Sequence, residues 1–285
     1  MKEMNKNILP VLFLLVLLAG LLTLSGCNIV WKSHNETTSM NTEKAAKENV
    51  NMSNSLKEAC QKADYETVKT LLKNGTKANS QDEDGNTTLM YAIQAPFAHY
   101  DVDVTKKIIK ILVSAGANVN ASDNDGNTVL MRVVSEFSYS DGADDDREEL
   151  IDVLVSAGAK VDAKNKDGKT ALMSIGLDGW INYSRIVTKL LSVGANINAT
   201  DNQGRTVLMD FVNKIDEKES SLPDNDDYER ECPTIEQVKS FLNTLISSGA
   251  DLNAKDKDDK TALTIAEERE NKEIIKILKA AGAKE

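Results

Sequence analysis

Asn120-Ala121-Ser122-Asp123-Asn124-Asp125-Gly126-Asn127-Thr128-Val129-Leu130-Met131 reads as a polar turn closing on Gly126, with Thr128 placed to start a helix. Nearly the same phrase returns at Asn79–Met90, Asp162–Met173, Asn198–Met209 and Asn253–Thr264. A phrase that recurs along a chain marks one small structural unit copied several times. Outward from each phrase the order is constant: a helix, a connection, a second helix, and a Gly-Ala stop. The stops are Gly116-Ala117, Gly158-Ala159, Gly194-Ala195, Gly249-Ala250 and Gly282-Ala283; glycine just past a helix end is the usual terminator. An earlier unit lacks the phrase. It has a helix from Leu56-Lys57-Glu58-Ala59-Cys60, a turn at Asp64-Tyr65, and a helix over Glu66–Asn74 with Val68, Leu71 and Leu72, stopped by Gly75.

The pattern Asn-Ala-x-Asp-x-x-Gly-x-Thr-x-Leu, followed by Val187-x-x-Leu190-x-x-x-Gly194-Ala195 and its counterparts, resembles the ankyrin repeat over residues 53–285. The resemblance implies a mainly α fold, an ankyrin-repeat solenoid of about six helix pairs with β-hairpin fingers along one edge. The repeats would run about 53–81, 82–122, 123–164, 165–200, 201–255 and 256–285. No single pair can hide its apolar face, so stacking supplies the core.

Departures from the family pattern carry information. Where the family has Thr-Pro-Leu-His, this chain has Thr87-Thr88-Leu89-Met90, Thr128-Val129-Leu130-Met131, Thr170-Ala171-Leu172-Met173 and Thr206-Val207-Leu208-Met209, and finally Thr261-Ala262-Leu263-Thr264. Threonine still suits the helix N-cap, and methionine is expected to fill the histidine's space by packing. Asp259 stands where the other fingers have glycine, which predicts a strained or looser last finger. The phrase threonines 87, 128, 170, 206 and 261 are spaced more widely than the family period of about 33 residues. Starts and stops are intact, so the extra length is expected between the two helices of a repeat, on the edge opposite the fingers. These insertions are Phe97–Asp101, Phe137–Glu149, Asp178–Tyr183 and about Lys214–Pro233.

The N-terminus has a different character. Lys2 and Lys6 precede an apolar run from Ile8 to Leu24 that ends in Leu24-Ser25-Gly26-Cys27. A charged start, an apolar run and small residues describe a secretory signal, and the ending resembles the lipobox of bacterial lipoproteins. The resemblance implies cleavage after Gly26 and acylation of Cys27, with chains such as palmitate. An uncleaved anchor is the alternative, although the run is short for a span. Residues 1–26 are thus assigned to a signal peptide, and 27–52 to the lipidated cysteine and a polar tether unable to build a core. Asn28 after the cysteine, in place of Asp, resembles lipoproteins sent outward. The expected place is the extracytoplasmic side of the cell envelope, on the outer membrane if the host has two.

Composition excludes several function classes. The net charge of −11 argues against a nucleic-acid partner. Six acids and one arginine in residues 141–149, with eight acids and two bases in 216–231, account for all of it, leaving the scaffold formally neutral. The two histidines, His34 and His99, fall in the tether and in an insertion, so no catalytic residue and no cofactor are assigned. Asp123 and Asp82 each start a stretch resembling a calcium loop. The twelfth positions, Val134 and Ile93, lack the required glutamate, so these are turns and no metal ligand is assigned. The acids of 141–149 could collect a divalent ion loosely; a solvated loop is the simpler expectation. Cys60 and Cys232 lie four layers apart, roughly 35–40 Å at the usual helix spacing, too far for a disulfide.

Two surfaces are candidates for binding. The finger edge and first helices form the concave face that ankyrin proteins usually bind with; its candidates are Glu83, Asp84, Asn86, Asn124, Asp125, Asn127, Lys166, Lys169, Asn202, Gln203, Arg205, Lys257 and Lys260. The insertion edge gathers Phe97, Tyr100, Phe137, Tyr139, Trp180, Tyr183 and Tyr228. There they either anchor a partner or form a small local core. The sequence therefore points to a monomeric, non-enzymatic, lipid-anchored scaffold that binds another protein. The alternative is a structural or protective envelope component that buffers ions through its acidic loops.

Overall fold

The computed structural model describes residues 50–94, 101–136, 143–175, 183–215 and 234–284. By its contacts the chain divides into Met1–Asn54 and Ser55–Glu285. From residue 50 onward the expected helix pairs are present except in the fourth repeat. Helix α1 covers residues 50–61, so residues 50–52, read from sequence as tether, begin a helix. Helix α2 is Tyr65–Lys73. Then follow α3 (Thr88–Ile93) and α4 (Val102–Ser114), α5 (Val129–Glu136) and α6 (Ala143–Ser156). In the fourth repeat a three-residue 3-10 turn (Leu172–Ser174) stands where a first helix was expected, before α7 (Tyr183–Ser192). The last pairs are α8 (Val207–Lys214) with α9 (Ile235–Ser247), and α10 (Ala262–Glu268) with α11 (Lys272–Ala280).

First helices pack on first helices and second helices on second helices along the array. The apolar spacing explains this. Ile108, Ile109 and Leu112 on α4, Leu150, Ile151 and Leu154 on α6, and Ile186, Val187 and Leu190 on α7 are fully buried at helical intervals. Burying each such side chain contributes about 1.5–3 kcal/mol, and a neighbouring repeat supplies the surface that covers it. Each second helix ends in the same way. After α4, Gly116 takes φ +89°, which lets its N–H reach Val113 O at 2.9 Å and the Ala117 N–H reach Leu112 O at 2.9 Å.

Four of the five phrase threonines cap first helices. Thr87 Oγ1 accepts from the Met90 N–H at 3.2 Å, Thr128 from Met131 at 3.4 Å, Thr206 from Met209 at 3.4 Å and Thr261 from Thr264 at 3.2 Å. The methionines are buried as expected, but packing is not their whole role. Met90 Sδ accepts from the Thr87 N–H at 3.4 Å and Met131 Sδ from the Thr128 N–H at 3.5 Å. The thioether thereby closes a capping box in which glutamate or glutamine is the usual partner.

The expected fingers are hairpins of minimal pairing: among the described residues it is limited to the single antiparallel bridges Gln81–Thr87 and Ser122–Thr128. Two further sequence expectations are corrected. Asp259 does not loosen the last finger. At φ +61° its N–H still reaches Asp256 O at 3.1 Å, as the glycine N–H groups of the other fingers do. Finally, Asp144, Asp145, Asp146, Glu148 and Glu149 are not in a loop, because α6 starts at Ala143 and takes them into its first turns; Asp141 lies outside the described residues. The extra length of these repeats lies between the two helices, and part of it lengthens the second helix. Helices α4 and α6 have 13 and 14 residues, against 9 in α2 and α11.

Candidate functional site

Each finger is built around one side chain that precedes its tip. Asp123 Oδ1 accepts from the N–H groups of Asp125 (2.9 Å) and Asn127 (2.8 Å). Asp201 does the same for Gln203 (2.8 Å) and Arg205 (2.9 Å), Asp256 for Asp258 and Lys260 (both 2.9 Å), and Asn165 for Asp167 (3.0 Å) and Lys169 (2.9 Å). Burial raises the Asp201 pKa, but bonds from the Arg205 and Gln203 backbones and the Arg205 guanidinium outweigh it and hold the carboxyl below its ordinary value. Asp82 is drawn further down, to about 2: burial opposes the shift, and bonds from the Tyr91 hydroxyl and Asn86 overcome it. That hydroxyl is pushed up to about 12 by the same contact with Asp82.

Fingers are then stitched tip to tip. The N–H groups of Asn124, Lys166, Asn202 and Lys257 donate at 2.9 Å to Asp84 O, Asp125 O, Asp167 O and Gln203 O of the preceding finger. This approach leaves little room. A Cβ on Gly168 (φ +78°) would sit 2.6 Å from Asn202 N. Asp259 is exposed, with no further finger packed on it among the described residues, so a side chain is accommodated there. A second ladder runs behind the fingers: Asn79, Asn120 and Asn198 each donate to a glycine carbonyl of the next repeat (Gly116, 2.6 Å; Gly158, 2.9 Å; Gly249, 3.2 Å). Each also accepts the next repeat's N–H, from Asn118, Lys160 and Asp251.

These bonds divide the finger candidates into two groups. Asn86 accepts from Arg132 at 2.7 Å, and Asn127 lies between Asp123 and Asn165. Lys169 faces Asp210 at 3.8 Å, Arg205 pairs with Asp201 at 2.9 Å and Lys260 with Glu268 at 2.7 Å. The Asn124 and Asn202 amides donate at 2.7 Å to Glu83 O and Lys166 O. All these side chains hold the scaffold. Glu83, Asp84, Asp125, Lys166, Gln203 and Lys257 remain exposed at the tips. Gln203, Arg205 and Lys260 come together with Asn213 of α8 and Arg269 just beyond α10, lining an open groove of about 640 Å³. Among the described residues the groove is lined by the fingers, the first helices and the residues just beyond the last of these, and by no second helix. It is a surface of mixed charge able to exchange many hydrogen bonds with a polypeptide, with no catalytic grouping among its residues.

Sequence reasoning missed Asp82, Tyr91, Arg132 and Asp210. Tyr91, Arg132 and Asp210 each lie four residues after a phrase threonine, so the signal was one repeat position facing the fingers. The opposite side also holds pairs between repeats that the sequence did not announce. Lys106 of α4 reaches Glu149 of α6, Arg185 of α7 reaches Asp145 and Glu148 of α6, Lys189 meets Asp152 at 2.6 Å, and Lys239 of α9 meets Glu273 of α11 at 3.2 Å. Insertion-edge candidates Phe97, Tyr100, Phe137, Tyr139, Trp180 and Tyr228 lie outside the described residues, as do Cys27 and Cys232; Tyr183 begins α7. Cys60 is fully buried, and burial pushes its thiol up to about 12. Among the described residues no helix is long and apolar enough to cross a membrane.

Residues 56–144 match the family model for ankyrin repeats in three copies. Among solved structures, an ankyrin repeat domain from Acinetobacter baumannii AYE is similar at 25% identity, covering 80% of this chain and 98% of its own, with a TM-score of 0.56. A chain from the complex of a predatory endopeptidase with an immunity protein, from Bdellovibrio bacteriovorus, is similar at 26% identity, 79% and 97% coverage, and a TM-score of 0.55. A further ankyrin repeat protein, at 21% identity, 80% and 97% coverage and a TM-score of 0.56, shares the fold. No curated protein gives a significant match.

Proposed function

We propose, for a chain that carries ankyrin repeats in the fold such repeats form, a non-enzymatic scaffold that binds another protein and is held in the cell envelope by lipid on Cys27. Ankyrin repeats serve as protein-interaction domains. The observation that carries the binding reading is the division among the finger residues. A rigid row is locked by its own bonds, while Glu83, Asp84, Asp125, Lys166, Gln203 and Lys257 stay exposed at its tips. Such a surface is already ordered, so a partner meets little entropic cost in using it. An inhibitory or immunity role is a narrower form of the same binding. For the ion-buffering alternative, Asp145, Glu148 and Glu149 are already committed to Arg185 and Lys106.

The anchor rests on Leu24-Ser25-Gly26-Cys27. Two or more acyl chains would hold the protein stably where one gives marginal binding. Growth with alkyne-tagged palmitate is expected to label the wild-type chain in the membrane fraction. A Cys27→Ser chain is expected to be unlabelled and to leave that fraction; its retention there contradicts the lipid anchor. For binding, cross-linked affinity capture compares the wild type with a Gln203→Arg, Lys257→Glu chain and with one lacking residues 216–231. Loss of the captured protein only in the finger variant supports the reading. Loss only in the deletion moves the site to the insertion edge.

A further inference from the structure

We infer that the fourth repeat is a built-in weak unit, a place where the array opens locally while the repeats on either side stay folded. Three separate departures meet there. Its first helix is reduced to the single 3-10 turn Leu172–Ser174, where the other phrase-bearing repeats have first helices of six to eight residues. Its capping threonine does not cap. The Met173 N–H bonds to the backbone oxygen of Thr170, and Thr170 Oγ1 is buried without a hydrogen-bond partner, whereas Thr87, Thr128, Thr206 and Thr261 all accept from the helix. The Asn ladder is also broken there. Asp162 takes the place of Asn79, Asn120 and Asn198; it still accepts from the Asn196 N–H at 3.0 Å, but a carboxylate has no N–H to give to the Gly194 carbonyl.

Apolar burial in α7 equals that of its neighbour and does not exceed it: Ile186, Val187 and Leu190 are fully buried, as Leu150, Ile151 and Leu154 of α6 are, so packing does not offset these losses. Arg185 ties α7 back to α6 from an exposed position, and the partly buried Lys189 pairs with an exposed Asp152; ion pairs that solvent reaches contribute little and are screened by salt. In a stacked array each unit is stabilised only by itself and its neighbours, so a unit weak in its helix, its cap and its ladder bond opens as a body. Opening there divides the finger row into a block of repeats one to three and a block of repeats five and six.

Hydrogen exchange measured on the mature chain, residue by residue and across low denaturant, reads this directly. Amides of α7 such as Ile186 and Leu190 are expected to exchange together with Ser174, through an opening that denaturant promotes. Their rate should exceed that of Leu150 and Leu154 in α6 and of Leu242 and Leu245 in α9 by roughly thirtyfold, the product of one missing cap and one missing hydrogen bond. Asp162→Asn restores the ladder donor and is expected to slow α7 exchange about fivefold, the factor of one ordinary hydrogen bond. Equal protection of α6, α7 and α9 overturns the inference, as does an Asp162→Asn chain whose α7 exchange is unchanged or faster.

Discussion

At the scale of single residues, what matters is whether the next repeat occupies the space a side chain would need. Gly116 and Gly168 both have positive φ, yet a Cβ on Gly116 meets nothing within 4 Å while one on Gly168 runs into Asn202. Gly116→Ala is therefore expected to cost only its left-handed backbone penalty, about 1–2 kcal/mol. Gly168→Ala adds an overpacking cost of about 1–3 kcal/mol. Asp259→Gly is expected to shift stability by less than about 1 kcal/mol. Urea unfolding of the three variants checks the order; equal losses at Gly116 and Gly168 would refute the close-approach argument. Asp82 gives a pH signature. Its carboxyl titrates near 2 in the folded chain, below the unfolded value of about 3.9. The stability it contributes is therefore complete above about pH 4 and is lost as pH falls toward 2. An Asp82→Asn chain is expected to melt lower at pH 7 and to lose less than wild type between pH 4 and 2; parallel curves would contradict this.

At the scale of elements, the caps can be tested as a pair. Thr128→Val removes a working cap and is expected to cost about 1 kcal/mol. Thr170→Val replaces a buried hydroxyl that bonds to nothing with a methyl of the same shape, and is expected to be neutral or stabilising. Thermal unfolding distinguishes the two, and equal losses would mean that Thr170 caps after all. Helix order, stops and capping positions were legible in the sequence because they depend on local chemistry at fixed offsets. The helical character of residues 143–149 was not. Counting residues against a fixed repeat length assigns every extra residue to a loop, whereas here the second helix grows and its acids find Lys106 and Arg185 on neighbouring repeats. The 3-10 turn at Leu172–Ser174 was equally hidden, since Thr-Ala-Leu-Met reads like its helical counterparts.

At the scale of the whole molecule, the sequence located the finger edge more accurately than it assigned the roles of the residues on it. It named thirteen finger positions, and the structure ties the side chains of seven of them into bonds within the scaffold: Asn86, Asn124, Asn127, Lys169, Asn202, Arg205 and Lys260. A single repeat unit cannot reveal this, because the partners of Asn124 and Asn202 belong to the preceding repeat. The exposed tips and the groove between the last two fingers remain as the surface a partner would meet. Photo-cross-linking in the cells that make the protein tests that claim most directly, with the reactive residue placed at Gln203 on the finger side or at Thr188, exposed on α7. The account predicts one discrete protein adduct from position 203 and none from position 188. An adduct from 188 alone, or none from either position, would contradict it.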